Sequence, residues 1–180
     1  YEHLRPETVG NKRKILISEL SGKSTVLFKA REYNLDLEKD SLPHQTDSVD
    51  IILLFNILEH LYNYQLVLSE IKRVLKSDGQ LIGAVPFLVA YHPDPHDYWR
   101  FTRESLEKIF TISGFTNIQI KSFGYGPMSA GFSQMEIVLP RLIKMILLPG
   151  VLFCDWVITA LRPKMNNNRF SFGLFFVVKK

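Results

Sequence analysis

The sequence predicts an α/β domain built on a doubly wound, largely parallel sheet. Residues 49–55 form a near-continuous apolar run, as expected of a strand covered on both faces. Strand and helix patterns then alternate along the chain, which is typical of such sheets. The 180 residues are 46% hydrophobic and 22% charged, which suits one globular domain and excludes disordered, collagen-like and disulfide-stapled chains.

The front of the chain predicts short strands. Residues 1–13 are polar and without periodicity, so they are interpreted as an arm. A β-branched run at 14–20 is followed by two further strand candidates at 24–29 and 33–37, with no helical pattern between them.

A βαβ unit follows. The strand at 49–55 leads into helically spaced apolar residues over 62–75, and Asp78-Gly79 is expected to end this helix and turn the chain. Residues 80–85 predict a second buried strand, which Pro86 ends.

A second helix and strand come after a polar, aromatic loop at 91–101. Thr102 is placed to cap a helix running to Ile112, and Gly114 to end it. The alternation over 115–123 predicts the next strand.

Helical patterns occupy residues 134–161, with predicted breaks at Pro140 and at 149–150. The stretch 137–161 has the length and apolar composition of a membrane-spanning helix, but it contains Arg141 and Asp155. We therefore favour a buried or substrate-covering pair of helices and keep peripheral membrane contact through 137–161 as the alternative.

The whole chain is interpreted as one domain. Its parts are the arm 1–13, a core at 14–123, a helical insert at 124–169 and a last strand at 170–180.

Charge and cysteine content limit the partners and the compartment. The net charge is +4, and the one compact basic run, at 12–14, is short, so no nucleic-acid partner is expected. The single cysteine, Cys154, fits a reducing compartment, and no secretory signal follows Tyr1, so a cytoplasmic location is expected.

Ligands of doubly wound sheets bind at the carboxyl ends of the strands. The segments that follow the predicted strands are 36–38, 56–61 and 86–100. These segments are therefore the candidate site.

The loop at 91–100 is the most unusual of them. Tyr98 and Trp99 can stack on ring faces, while Arg100 can bind hydroxyl or phosphate groups. The alternative is a lid that Trp99 and Phe101 pin to the core, with Arg100 paired to a neighbouring aspartate.

Two histidines and two aspartates in the same loop are residue types that bind metal ions. Its prolines keep it extended, and the sequence shows no second cluster of ligands. No metal is therefore predicted.

Several short segments between residues 33 and 123 carry a resemblance to a known family. They are Asp36-Leu37-Glu38, Leu42-Pro43, the segment 47–52, Asn56-Ile57-Leu58-Glu59-His60-Leu61, the segment 70–76, Gly79 and Val85-Pro86-Phe87. Together they resemble the later half of class I S-adenosylmethionine-dependent methyltransferases, of the small-molecule type whose fourth strand runs into a Leu-Glu-His loop. His92-Pro93 and the segment 97–102 further resemble a subgroup associated with glycan or cell-envelope biosynthesis.

The resemblance implies a Rossmann-like sheet whose seventh strand lies antiparallel beside the sixth. Residues 115–123 and 170–180 fit this closing pair. The sheet is thus expected to be a methyltransferase sheet truncated at its N-terminal side, with a helical insert before the last strand.

The front of the chain departs from the family. The glycine-rich turn expected after the first strand is replaced by Ser21-Gly22-Lys23-Ser24, and a phosphate loop is rejected because Ile17 stands where its first glycine is needed. Only 35 residues precede Asp36, whereas one parallel βαβ unit takes about 30 residues and the family normally has two such units before this acidic position. At least one crossover helix is therefore expected to be missing. Three explanations stay open: an incomplete chain, a reduced member of the family, and a member that no longer binds cofactor.

The resemblance implies roles for two groups of residues. The expected cofactor contacts are Asp36, Leu37, Asn56, Leu58 and Glu59. The expected catalytic or acceptor contacts are His60, His92, His96, Tyr98 and Arg100, with His60 as the base.

Plainer interpretations exist for some of them. Asp36 can be a solvated turn residue, and Glu59 and His60 can cap a helix that starts near Tyr62.

The expected function is methyl transfer from S-adenosylmethionine to an oxygen or nitrogen of a small molecule or glycan. The alternative is a non-catalytic methyltransferase-like binding or assembly module without the cofactor site. The shortened front is expected to expose a sheet edge, so a homodimer is also expected.

Overall fold

The computed structural model describes residues 14–18, 41–93, 96–135, 137–162 and 167–180, and for 14–18 the backbone alone. The strands are β1 (Lys14–Ser18), β2 (Val49–Phe55), β3 (Leu75–Pro86), β4 (Thr116–Phe123) and β5 (Gly173–Lys179). The α-helices are α1 (Tyr64–Val74), α2 (Arg103–Ile112), α3 (Pro127–Met135) and α4 (Arg141–Leu161). The strand candidates at 24–29 and 33–37 lie outside the described residues.

The described strands form one five-stranded sheet in the order β1-β2-β3-β5-β4. β1, β2 and β3 are parallel, while β5 runs antiparallel between β3 and β4. The α/β fold and the antiparallel closing pair are confirmed. The homodimer is not tested by a single chain and stays a prediction.

The βαβ unit forms because β2 and α1 bury complementary apolar faces. Ile52 and Leu54 of β2 are buried, as are Leu68 and Ile71 of α1. Each such side chain contributes about 1.5–3 kcal/mol of transfer free energy when fully buried. This packing fixes the direction of β2 and thereby the segment that follows it.

The predicted end of the first helix was wrong. α1 ends at Val74, and Leu75 already pairs with Val49 in the sheet, because its fully buried side chain belongs to the core. Pairing resumes with Gln80 opposite Ile51, so Asp78-Gly79 lies in an irregularity within β3.

The helix after the loop forms as predicted. The Thr102 side chain accepts a hydrogen bond from the Ser105 backbone N–H at 3.1 Å, and Gly114 adopts a left-handed φ of 76° just past the end of α2. Phe110 packs against Phe176 of β5 with ring centroids 4.9 Å apart. α2 therefore covers the sheet next to the loop at 91–101.

The helices of the insert differ from the prediction. α3 begins at Pro127, earlier than expected, and α4 starts after Pro140 but continues through Pro149. Pro149 removes one backbone donor, and it lies in an exposed part of the helix. Pro149 therefore does not end the helix.

α4 is also not a buried helix. It is long and apolar enough to cross a membrane, with a mean hydropathy of 1.8 over its most apolar window, and only 6% of that window is buried against the described chain. The expectation of buried helices was therefore wrong for α4.

Asp155 attaches α4 to α3. Its carboxylate is buried and accepts hydrogen bonds from the backbone N–H groups of Met128 and Ser129, each at 2.8 Å. These donors belong to the first turn of α3, where an acceptor and a negative charge both stabilise a helix.

Replacing Asp155 by alanine is expected to destabilise the fold by about 2 kcal/mol, because two buried donors lose their acceptor. Thermal unfolding monitored by circular dichroism measures this as a decrease of roughly 4–8 °C. The matched control is Asp78→Ala at an exposed position, expected within about 0.5 kcal/mol of the wild type. Equal stability of the two variants would contradict the capping role.

Candidate active site

The site lies at the carboxyl ends of the parallel strands. Ser18, Phe55 and Ala84 stand side by side in the register of β1, β2 and β3. Asn56 follows directly, with a left-handed φ of 51°, and its N–H donates to the Ala84 carbonyl at 2.9 Å. Asparagine tolerates this conformation better than most residues do, so Asn56 turns the chain sharply out of the sheet.

A 3₁₀ turn over Leu58–His60 forms the floor of the site. Leu58 and Glu59 are completely buried, so the side chain of Leu58 is part of the core. The first helix begins after Asn63, so the interpretation of Glu59 and His60 as its cap was wrong.

The loop at 91–100 docks on this turn through the backbone. The Glu59 carbonyl accepts hydrogen bonds from the N–H groups of Tyr98, at 2.9 Å, and Trp99, at 3.2 Å. The fold thereby brings together 56–61 and 91–100, two segments of the candidate site that are separate in the sequence.

His60 is held at the junction of the two segments. Its Nδ1 hydrogen-bonds the His96 carbonyl, and its Nε2 lies 3.7 Å from Glu59 Oε1. Its ring meets that of His92 edge-on, with centroids 5.3 Å apart. Since a carbonyl only accepts, Nδ1 carries the proton and Nε2 presents a lone pair.

Asp97 and Arg100 form an ion pair inside the loop. Both guanidinium Nη atoms of Arg100 donate to the carboxylate, Nη2 at 2.6 Å, and the His92 backbone N–H donates to it at 3.1 Å. The Asp97 side chain is 1% exposed, and its hydrogen bond with Arg100 is the main cause that lowers its pKa to about 2. Hydrogen bonding and charge from Asp97 raise the pKa of Arg100, so this pair stays ionised.

Trp99 anchors the loop to the core. Its Nε1 donates to the Leu61 carbonyl at 2.9 Å, and its ring packs against Tyr64 and Phe101 with centroids 5.4 and 6.2 Å away. The lid with Trp99 pinned and Arg100 paired to Asp97 is therefore present. Tyr98 remains 43% exposed and available for stacking.

Three side chains of the described part could hold a metal ion together. Glu59, His60 and His92 each offer a ligand atom, and these atoms lie within 4.8 Å of one another.

A cleft of about 410 Å³ opens beside the loop. Phe87 and Thr102, which flank the loop on either side in the chain, line it together with Arg103, Arg169, Glu104 and Ser122. No sequence pattern predicts this cleft, since Arg169 reaches it from a segment distant in the chain. Among the described residues that line this cleft, the only ones that a local pattern indicates are Thr102 and Arg103, at the start of α2.

The structure thus brings His60, His92, His96, Tyr98 and Arg100 to one place, with Asn56 at the adjoining strand end. Asp36 and Leu37, the predicted cofactor contacts near the front, lie outside the described residues.

Comparisons with known proteins agree with the fold. Residues 18–83 match the family described as "Methyltransferase domain". The fold resembles the crystal structure of an S-adenosylmethionine-dependent methyltransferase from Archaeoglobus fulgidus, with a TM-score of 0.53 and 13% identity, over 98% of this chain and 95% of that one. A probable S-adenosylmethionine-dependent methyltransferase of Mycobacterium tuberculosis is 25% identical over 92 residues, which are 48% of this chain and 34% of the relative. The fold is thus of the class I methyltransferase type, and residues 18–83 are similar to the methyltransferase domain family.

A short segment also matches a protein of another name. Over 59 residues the chain is 46% identical to an (R)-citramalate synthase of Geobacter sulfurreducens, which covers 33% of this chain and 10% of that protein. The chain thus spans about a tenth of this relative and about a third of the mycobacterial one.

Proposed function

We propose that this chain transfers a methyl group from S-adenosylmethionine to an oxygen or nitrogen of a small molecule or glycan. The observation that carries the proposal is the docking of the loop at 91–100 on the turn at 58–60, at the strand ends of a methyltransferase fold. Proximity and orientation supply much of the catalysis in such a transfer, and this docking provides a positioned surface for the acceptor.

The cofactor supplies, when bound, a methyl group on an electrophilic sulfonium. Asn56 fits a contact to it, because it leaves the sheet at the strand edge in a left-handed conformation. Leu58 and Glu59 are buried under this turn, so we assign them to its support. Asp36 remains the proposed acidic contact to the ribose or adenine.

His60 is the proposed proton acceptor. The His96 carbonyl holds its Nδ1 proton, which leaves Nε2 to take the proton from the acceptor. The nearby Glu59 carboxylate stabilises the imidazolium that results.

The acceptor is proposed to lie along the loop. Tyr98 offers an exposed ring for stacking. In the cleft two arginines, Arg103 and Arg169, stand against one carboxylate, that of Glu104, so we propose an acceptor that carries a phosphate or carboxylate. A screen with tritiated S-adenosylmethionine against hydroxyl and amino compounds, each with and without a phosphate, identifies it.

Cofactor binding is tested by calorimetric titration of the chain with S-adenosylhomocysteine. Dissociation in the micromolar range is expected. Titration with AMP, which shares the adenosine but lacks the amino acid part, is the control and should give much weaker heat. Silence with both ligands would contradict methyl transfer and favour the non-catalytic module.

We also propose peripheral membrane contact through residues 137–161. Residues 141–150 are exposed on nearly every side, and most of them are apolar. A helix that lies in the membrane interface buries apolar side chains of this kind at the boundary between headgroups and acyl chains. Arg141 and Lys144 suit an anionic surface, and Asp155 ties the other half of α4 to α3, so the helix is placed on the membrane and not across it.

Flotation with anionic phospholipid vesicles tests this contact, and the chain is expected to rise with the vesicles. Replacing the exposed Leu142, Ile146 and Phe153 by serine should leave it at the bottom of the gradient. The matched control replaces the similarly exposed Leu66, Ile112 and Tyr125, outside α4, by serine. This variant should still rise with the vesicles. Absence of flotation by the wild-type chain would remove the proposal.

A further inference from the structure

Glu59, His60 and His92 come together from two segments at the centre of the site. Their ligand atoms lie within 4.8 Å of one another. Glu59 is fully buried, the His60 side chain is 10% exposed and that of His92 is 27% exposed. The sequence offered no second group of ligands to the histidines of the loop, and the fold supplies it through the turn at 58–60.

Both imidazoles are held in the tautomer that a metal requires. The Nδ1 of His60 hydrogen-bonds the His96 carbonyl, and the Nδ1 of His92 hydrogen-bonds the Ala90 carbonyl at 2.9 Å. Carbonyl oxygens only accept, so both contacts favour a proton on Nδ1 and a lone pair on Nε2. At His92 the shorter contact with the carbonyl, at 2.9 Å, outweighs that of Arg100 Nη2, which lies 3.5 Å from the same Nδ1. Backbone carbonyls bound to the second ring nitrogen are the usual outer partners of metal-ligating histidines.

Two carboxylates, those of Glu59 and Asp97, lie at the site, and the guanidinium of Arg100 makes two hydrogen bonds to Asp97. Metal ions and paired cations are the usual partners of buried carboxylates.

We propose that Glu59, His60 and His92 bind a divalent transition-metal ion of the zinc type, through one carboxylate oxygen and two imidazole nitrogens. Two histidines and one carboxylate are a ligand set of zinc sites that keep an open position. The 3.7 Å between His60 Nε2 and Glu59 Oε1 is close to the separation of two ligands on a tetrahedral ion, about 3.4 Å for bonds of about 2.1 Å.

The role of the ion rests on the proposed methyl transfer, whereas its binding does not. With the ion bound, Nε2 of His60 is a ligand and not the base. An acceptor hydroxyl at the open position would then lose its proton to solvent, because the ion lowers the pKa of that hydroxyl.

Equilibrium dialysis of the full chain against Zn²⁺ alone, followed by elemental analysis, tests the site. One ion per chain is expected, and His92→Ala should weaken binding at least about 100-fold. Co²⁺ in place of Zn²⁺ should give visible absorption bands that His92→Ala and His60→Ala both remove.

The matched control is His44→Ala, since His44 lies before β2, at the opposite end of that strand from the cluster. It should bind the ion like the wild type. If His92→Ala fails to fold, His92→Gln takes its place in the experiment, because it keeps a polar side chain. It should lose the Co²⁺ bands as well. Absence of binding, or bands that survive both histidine substitutions, would overturn the proposal. Neither dialysis nor spectrum involves cofactor or acceptor, so failure here is distinct from failure of the methyl transfer.

Discussion

Replacing His60 by glutamine is expected to lower the turnover of methyl transfer by about 10²- to 10⁴-fold while leaving the affinity for S-adenosylhomocysteine unchanged. Glutamine keeps a polar side chain but cannot take the acceptor's proton, nor can it replace an imidazole nitrogen at a metal ion. The rate of methyl incorporation into the acceptor found in the screen measures the first quantity, and calorimetric titration measures the second.

His44→Gln provides the comparison, because His44 lies away from the site, before the opposite end of β2. It should retain the wild-type rate. Near wild-type turnover by His60→Gln would show that acceptor chemistry takes place elsewhere on the chain.

Replacing Trp99 by alanine is expected to destabilise the chain by about 3 kcal/mol. The substitution removes the ring from Tyr64 and Phe101 and leaves the Leu61 carbonyl without its donor. Differential scanning calorimetry should show a decrease of roughly 6–12 °C in the unfolding temperature. Turnover should decline as well, because the loop that carries His92 and Tyr98 loses its anchor.

Two further variants separate the contributions. Trp99→Phe keeps most of the ring contact and loses the hydrogen bond, with an expected cost of about 1 kcal/mol. Trp156→Ala removes the chain's other tryptophan, which is 66% exposed, and should stay within about 0.5 kcal/mol of the wild type. Similar losses at Trp99 and Trp156 would contradict the anchoring role.

Local patterns predicted much of this fold. The apolar run at 49–55 became a buried strand, and Thr102 and Gly114 delimit α2, because caps and periodicity act over a few residues. The end of α1 was misplaced because Leu75 pairs with a strand distant in sequence, and Pro149 was misread because it lies in an exposed helix.

The candidate site was predictable in its members but not in its contacts. The rule that ligands bind at the carboxyl ends of strands selected both 56–61 and 91–100. That His60 meets the His96 carbonyl, and that Glu59 is completely buried, depends on how the loop folds back on the turn. The cleft with Arg169 depends on contacts between distant segments and left no sequence pattern.

The backbone attachment of the loop bears on how acceptor preference can change. Tyr98 and Trp99 are held through their N–H groups, and His96 contacts His60 through its carbonyl, so the path of the loop at these points does not depend on which side chains stand at 96 and 98. Those two positions can be randomised in a library while Trp99, Asp97 and Arg100 keep the segment in place. We therefore expect substitutions at 96 and 98 to change the acceptor preference while the loop keeps its place.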